Sequence, residues 1–287
     1  MFEWRVGERK FYIREAAQDS DYHEVEDIQR EAWQCSDLDI VGSLMLVASQ
    51  HAGAILLCAF EGDEMMGFAY GFPAIEAGEV SLHSHMAAVR DNWRGREFQV
   101  GFYLKLAQRQ AALERGITHI TWTFDPLQSL NAYFNFVKLG VTCNRYYVNF
   151  YGDSSTSPLH QGTGTDRLWV DWHLTSDRVK ACIETDATTR EKKVLTLNAE
   201  TPLLVIFEND EPRVVADIEN KFAGNVCFIE IPHNINALKA SNPQHAANWR
   251  NAIQQAFLAA IKAGFTATDF LKAQGAGQPR WFYQLTR

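Results

Sequence analysis

The chain has 287 residues, 46% of them hydrophobic, and a formal net charge of −8. That composition supports one large domain or two ordinary ones around a sizeable core, and it excludes a disordered or low-complexity chain. The negative balance argues against a protein that grips nucleic acid by its phosphates, which needs a basic face.

No apolar run approaches the roughly 18 to 20 residues that span a bilayer. The stretch MFEWRVGERKFYIREA at the start is charged and lacks the apolar segment of a secretion leader. Cys35, Cys58, Cys143, Cys182 and Cys227 are scattered and form no CxxC. This speaks against a disulfide framework and a structural zinc site, and makes the cytosol the expected location.

In chain order, Lys10 to Arg14 (KFYIR) alternates as a short strand. Asp19 or Ser20 caps a predicted helix reaching Trp33, with Val25, Ile28 and Ala32 on one face. Ala54 to Phe60 (AILLCAF) is a buried-strand run. Glu61-Gly62-Asp63 turns it into a hairpin with Met65 to Phe72. Glu79 to Val89 is the next strand. From Val100 the period becomes helical: Val100, Leu104, Ala107 and Ala111 recur, Tyr103, Leu106 and Leu113 widen the stripe, and Gly116 ends it. His119 to Phe124 (HITWTF) alternates again. Asp125-Pro126-Leu127-Gln128 has the pattern of a cap, a proline at the first helical position and a glutamine closing a capping box. That helix ends at Lys138-Leu139-Gly140.

Tyr146 to Tyr151 (YYVNFY) is predicted as a strand, Gly152 to Gly164 as an exposed loop, and Arg167 to Leu174 as a strand that could still belong to the first sheet. Asp177 to Lys193 is polar and is read as a helical linker. Strands follow at Pro202 to Phe207 and Val226 to Ile231, then a helix from about Pro243 to Ala263, then strands at Thr266 to Leu271 and Arg280 to Leu285. The first part is therefore a mixed α/β sheet with a right-handed parallel crossover over residues 80–124. Residues 1–175 form the expected first domain and 176–287 the second. The second repeats the order strand, long helix, strand at 226–271.

Between the strand and the helix at 89–100 stands Trp93-Arg94-Gly95-Arg96. Such a turn aims backbone N–H groups and the positive helix end at one spot, which suits a phosphate or pyrophosphate. The order strand, Arg-Gly-Arg, helix resembles motif A of the GNAT superfamily of N-acyltransferases, Q/R-x-x-G-x-G/A, which cradles the pyrophosphate of an acyl-coenzyme A. The resemblance covers roughly residues 10 to 151. Read from the strand, Arg94-Gly95-Arg96 fits the lead-in, and the next two glycines become Glu97 and Gln99. Read from the helix, Arg96 to Gly101 fits with Gln99 in place of the first glycine, and the loop is about two residues longer.

Ser129 to Val141 resembles the later family helix N-x-x-A-x-x-F-Y-x-K-x-G-F, keeping Ala132, Lys138 and Gly140. Phe136 stands where the family has the tyrosine that protonates the leaving thiolate. Tyr133, three residues earlier, is the substitute considered for that role. The stretch 83–151, with HSHM, LKLAQR, TWTFDPLQS and NFYG, resembles one branch of the superfamily.

The resemblance implies a GNAT-like mixed sheet, and the repeated element order at 226–271 reads as a second, degenerate GNAT-like half. It implies an acyl-CoA, acetyl-CoA in the first instance, as co-substrate, and no metal. Its coenzyme contacts would come from Ala88, Val89, Arg94, Gly95, Arg96, Gln99, Val100, Gly101, Asn131 and Lys138. The acceptor would be a small amine or amino acid. Neither nucleic acid nor a membrane is an expected partner, and a homodimer stays open.

An attacking amine must lose a proton, and a base that titrates near the working pH helps most. By period two, Glu79, Ser81, His83 and His85 share one strand face and Val80, Leu82 and Met86 the other. His85 lies nearest the turn and is the preferred base. Glu79 and Asp125 are alternatives, with helix capping as the competing role of Asp125. Two histidines at i and i+2 are too few ligands for a metal. Two other readings stand beside the enzyme. One is a non-catalytic acyl-CoA-binding or regulatory GNAT-like protein, which Glu97, Gln99 and Phe136 favour. The other is a plain α/β interaction domain.

Overall fold

Alternation and helical stripes in this chain become two sets of sheet and helix. The computed structural model describes residues 1–34, 36–76, 78–95, 97–152, 164–185, 193–198, 200–208, 211–273 and 279–287. Arg96, Cys35 and most of the Gly152–Gly164 loop lie outside the described residues. Spatial proximity divides the chain into two compact units, 1–122 and the described residues from 123 on. The division falls inside the His119–Phe124 strand, where the sequence pointed to 175/176.

The first unit begins with β1 (Phe2–Val6) and β2 (Arg9–Glu15), an antiparallel hairpin of which only β2 has a clear alternation in sequence. α1 (Asp19–Trp33) starts where Asp21 accepts the N–H groups of Ala17 and Gln18 and pairs with Arg14. Burial pushes the Asp21 carboxyl up, but these partners outweigh it and hold it at about 2. α2 (Ser43–His51) follows, a helix that the sequence pattern does not mark. Then come β3 (Ile55–Glu61), β4 (Glu64–Glu76), β5 (Glu79–Val89), α3 (Val100–Glu114) and β6 (His119–Phe124).

The strands of this unit lie in the order β1-β2-β3-β4-β5-β6. All neighbours are antiparallel except β5 and β6, which pair in parallel at Leu82/Ile120 and His83/Thr121. Val25, Ile28 and Leu46 of α1 and α2 pack on Leu56, Cys58, Phe60, Phe68 and Tyr70. α3 packs on β3, β4 and β5. The β5–α3–β6 crossover is the parallel unit expected over 80–124.

In the second unit, α4 (Ser129–Ala132) runs into a π-wound stretch, Tyr133–Leu139. After it come β7 (Thr142–Tyr147), β8 (Arg167–His173), α5 (Asp177–Glu184) and β9 (Val194–Leu195). A ribbon of β10 (Val205–Glu208) and β11 (Glu211–Val214) precedes β12 (Val226–Ile231), α6 (Ile235–Ser241), α7 (Pro243–Lys262), β13 (Thr266–Ala273) and β14 (Trp281–Thr286).

Two expectations change here. The strand predicted at 146–151 is instead β7, over 142–147. Asn149 turns left-handed at φ 48°, its N–H donates to Asp166 Oδ1 and its Oδ1 accepts from the Thr165 hydroxyl, so the chain leaves the ladder. The second half repeats the order of β5–α3–β6 but not its pairing. β14 lies between β12 and β13 and is antiparallel to both, so there is no parallel strand junction of that kind.

Candidate functional site

β5 is regular only up to its middle. Phe72 lies opposite His83 and Tyr70 opposite Met86, so Ser84 and His85 together face the single residue Gly71. This is a β-bulge, one extra residue on β5, and it resets the alternation. Met86 consequently packs with Tyr70 and Phe72 on the α1/α2 cluster, where strict period two had put it opposite His85. The His85 ring lies 5.6 Å from the Phe72 ring, 6.4 Å from that of Tyr70 and 6.2 Å from that of His83. His83 is buried, with Nδ1 3.1 Å from the Thr121 hydroxyl, whereas His85 is exposed. Glu79 is exposed at the tip of the β4–β5 hairpin opposite Glu76. At six residues from His85 it stands about 20 Å away along the strand, so the structure does not bring these two candidates together.

Ala88 and Val89 close β5. Asp91–Trp93 then forms a single tight turn. The Trp93 ring is buried against Phe11 and Phe98, and its Nε1 donates to Glu64. The Phe98 carbonyl accepts from Trp4 Nε1. The Arg9 guanidinium lies 4.8 Å from the Trp93 ring and 4.9 Å from the Phe98 ring. The N-terminal hairpin therefore pins both ends of the turn. No local pattern marks these anchors, because each contact from the hairpin residues Trp4, Arg9 and Phe11 joins residues more than eighty apart.

Gln99 opens α3 in the left-handed conformation, φ 52°, with no side-chain cap among the described residues. Val100 is buried, while Gly101 is half-buried. The N-terminus of α7 differs: there the Asn242 side chain accepts from His245 N–H. Arg94 is exposed and folded back, with Nε on the Val89 carbonyl and Nη1 2.6 Å from Asp91. Gly95 is exposed beside it. Arg90 is tied to Glu24 and Glu31 in a cleft of about 510 Å³ that Asp63, Glu64 and Asp91 also line.

The remaining candidates lie in the second unit. Asp125 accepts from Leu127 N–H at 2.9 Å in a turn ahead of α4, and forms an ion pair at 2.8 Å with Arg250, a side chain 4% exposed. The predicted capping box is not formed, because α4 starts only at Ser129 with Gln128 at its cap position; the two bonds instead make Asp125 a brace between that turn and α7. Tyr133 presents its ring edge to Trp281 at 6.2 Å. Asn131 is exposed, Lys138 half-buried, and Phe136 wholly buried against Phe124 and Tyr283.

Among the described residues no three His, Cys, Asp or Glu side chains are grouped as metal ligands would be. No described helix is long and apolar enough to cross a membrane. Cys58, Cys143, Cys182 and Cys227 carry free thiols, and burial pushes those of Cys143 and Cys227 up to about 12, far from thiolate formation at neutral pH.

Fold and junction define a mixed α/β protein built around a strand–turn–helix unit. No protein-family model matches the chain. No curated protein matches it either. Solved structures similar to the chain include acetyltransferases. Aminoglycoside 6'-acetyltransferase type Ii shares 18% identity, covering 57% of this chain and 98% of that one, with a TM-score of 0.45. The ribosomal-protein-S18-alanine N-acetyltransferase from Escherichia coli shares 11%, covering 58% and 95%, with a TM-score of 0.44. A GNAT family acetyltransferase from Elizabethkingia anophelis, with acetyl-CoA bound, shares 13%, covering 57% and 97%, with a TM-score of 0.43.

Proposed function

We propose that this chain is a GNAT-type N-acyltransferase that moves an acyl group, acetyl in the simplest case, from acyl-CoA to a small amine or amino acid. The junction at residues 89–101 carries the reading. The β5–α3–β6 crossover puts an α3 N-terminus without a side-chain cap at the end of the strand that bears His85. The fit to a pyrophosphate rests on this cradle. Gln99, Val100 and Gly101 supply N–H groups at the positive helix end. Arg94 adds charge once it swings from Asp91, and Arg96 comes from the same turn. The coenzyme supplies an activated acyl thioester.

This chain's residues would do the rest. Ala88 and Val89 offer backbone edge beside the acyl arm, and a β5 N–H polarises the acyl carbonyl. His85 takes the proton of the attacking amine. The new C–N bond forms as the C–S bond breaks, and the departing sulfur takes up a proton.

The test is thiol release from acetyl-CoA with a panel of amines, alongside calorimetry with coenzyme A. His85→Ala should lower turnover roughly 10²-fold and leave coenzyme affinity nearly intact. A second reading, a non-catalytic acyl-CoA-binding or regulatory protein, is favoured by Arg94 being held on Asp91 and by Phe136 being buried. Coenzyme binding without thiol release from any amine would select it.

A further inference from the structure

Leu104, Ala107 and Ala112 of α3 are buried, and a lysine lies among them. Lys105 is 5% exposed. Its Nζ donates to Ser84 Oγ at 2.7 Å and to Gln108 Oε1 at 3.1 Å, and it stands 3.8 Å from the centre of the Trp122 ring. Ser84 is one of the two residues of the β5 bulge, and His85 is the other. Gln108, one turn further along α3, is wholly buried, and its Nε2 has no hydrogen-bond partner among the described residues. A Cβ built on Gly71 would lie 3.2 Å from that nitrogen and 2.9 Å from the His83 carbonyl.

Two elements at the bulge, β4 and α3, thus depart from ordinary core chemistry. The facing strand gives up its side chain at Gly71, and α3 spends two polar residues where apolar ones would fill the space. Burying an amine and an amide opposes folding unless their bonds are needed. Of these bonds, the one from Lys105 Nζ to Ser84 Oγ reaches β5, and the one to Gln108 Oε1 stays within α3 and orients the amine.

We propose that Lys105 is a positioning residue: its bond to Ser84 holds the β5 bulge from the α3 side and so sets where His85 is presented. The proposal rests on the reading of His85 as the base. It acts through Ser84 and does not require Lys105 to meet substrate.

The test uses the full chain carrying Lys105→Met, Ser84→Ala or both. Turnover should fall by on the order of tenfold to a hundredfold, as for a base displaced by about an ångström, with KM for acyl-CoA within about twofold. The double variant should lose no more than the worse single one, because both changes break one contact. In NMR the ring protons of His85, which sit among Phe72, Tyr70 and His83, should move in each variant. Turnover within about twofold of the parent, together with unmoved His85 signals, would overturn the proposal. If Lys105→Met does not fold, Ser84→Ala, which removes a single hydroxyl, decides. A parent chain that releases no thiol from any acyl-CoA would sink the acyltransferase reading. The His85 signals in Ser84→Ala would still decide the positioning claim by themselves.

Discussion

The buried Lys105 makes stability depend on pH in a way that one substitution removes. Burial pushes its ammonium down to about 7, against about 10.4 for an exposed lysine. At about 1.4 kcal/mol for each pH unit between those values, the folded chain at pH 7 is disfavoured by on the order of 4 kcal/mol relative to one with a neutral group in that place. Between about pH 7 and 10 the unfolded chain binds a proton that the folded chain does not, so stability rises with pH there, by up to about 1.4 kcal/mol per unit. Below pH 7 both states are protonated and this contribution is flat at its most unfavourable.

Lys105→Met abolishes the slope but leaves Ser84 Oγ and Gln108 Oε1 without their donor, at about 1 to 3 kcal/mol each. At pH 7 the two effects nearly cancel, and at pH 9 the parent should be the more stable. The assay is urea unfolding of both chains at pH 6, 7, 8 and 9, followed by tryptophan fluorescence, to which Trp122 beside the amine contributes. Other titrating groups affect both chains alike, so the difference between the chains isolates this one. A difference that stays flat from pH 7 to 9 would mean that the amine is hydrated and ordinary, and would refute the reasoning.

Three further outcomes follow from the site and its surroundings. Arg94→Ala and Arg96→Ala should each weaken coenzyme A binding about tenfold in calorimetry, the worth of one charge-assisted contact; unchanged affinity in both would remove the coenzyme from this turn. Asp125→Ala should destabilise the chain by about 3 to 5 kcal/mol, because Arg250 keeps its charge at 4% exposure. Adding Arg250→Met should recover much of that loss, whereas lost turnover with an unchanged unfolding curve would return Asp125 to the chemistry. A chain ending near Ser176 loses β13, which pairs with β7, and Tyr283, which packs on Phe136 and donates to the Pro126 carbonyl. It should be insoluble, while the full chain binds one coenzyme; a soluble, fully active truncation would show that the later residues are dispensable.

Local pattern was enough for most elements and for the junction itself. The ends of β5, β6 and β12 and the span of α1 stand where alternation, stripes and caps put them, because those signals lie within the element. The failures have non-local causes. β7 ends early because Thr165 and Asp166, some sixteen residues on, take up the groups of Asn149. The second half loses its resemblance to the β5–α3–β6 unit because β14, the last strand, inserts between β12 and β13. The brace that holds Asp125 comes from Arg250, on a helix more than a hundred residues away.

The bulge in β5 is the most informative of these failures. Period two over Glu79 to His85 predicts one continuous polar face, and a bulge at its end leaves no local trace. Its signs are a glycine on the facing strand and a lysine and a glutamine inside an apolar helix stripe, each explicable on its own. Gly71 could serve a turn, Lys105 could reach solvent, and Gln108 could be a half-exposed helix residue. Only the register of β4 on β5, together with α3 lying over it, brings the three to a single position. Departures from local rules that are scattered through a core indicate tolerance. Three that converge on one strand position, next to an exposed histidine on the strand that leads into the α3 turn, indicate a backbone held in place for use.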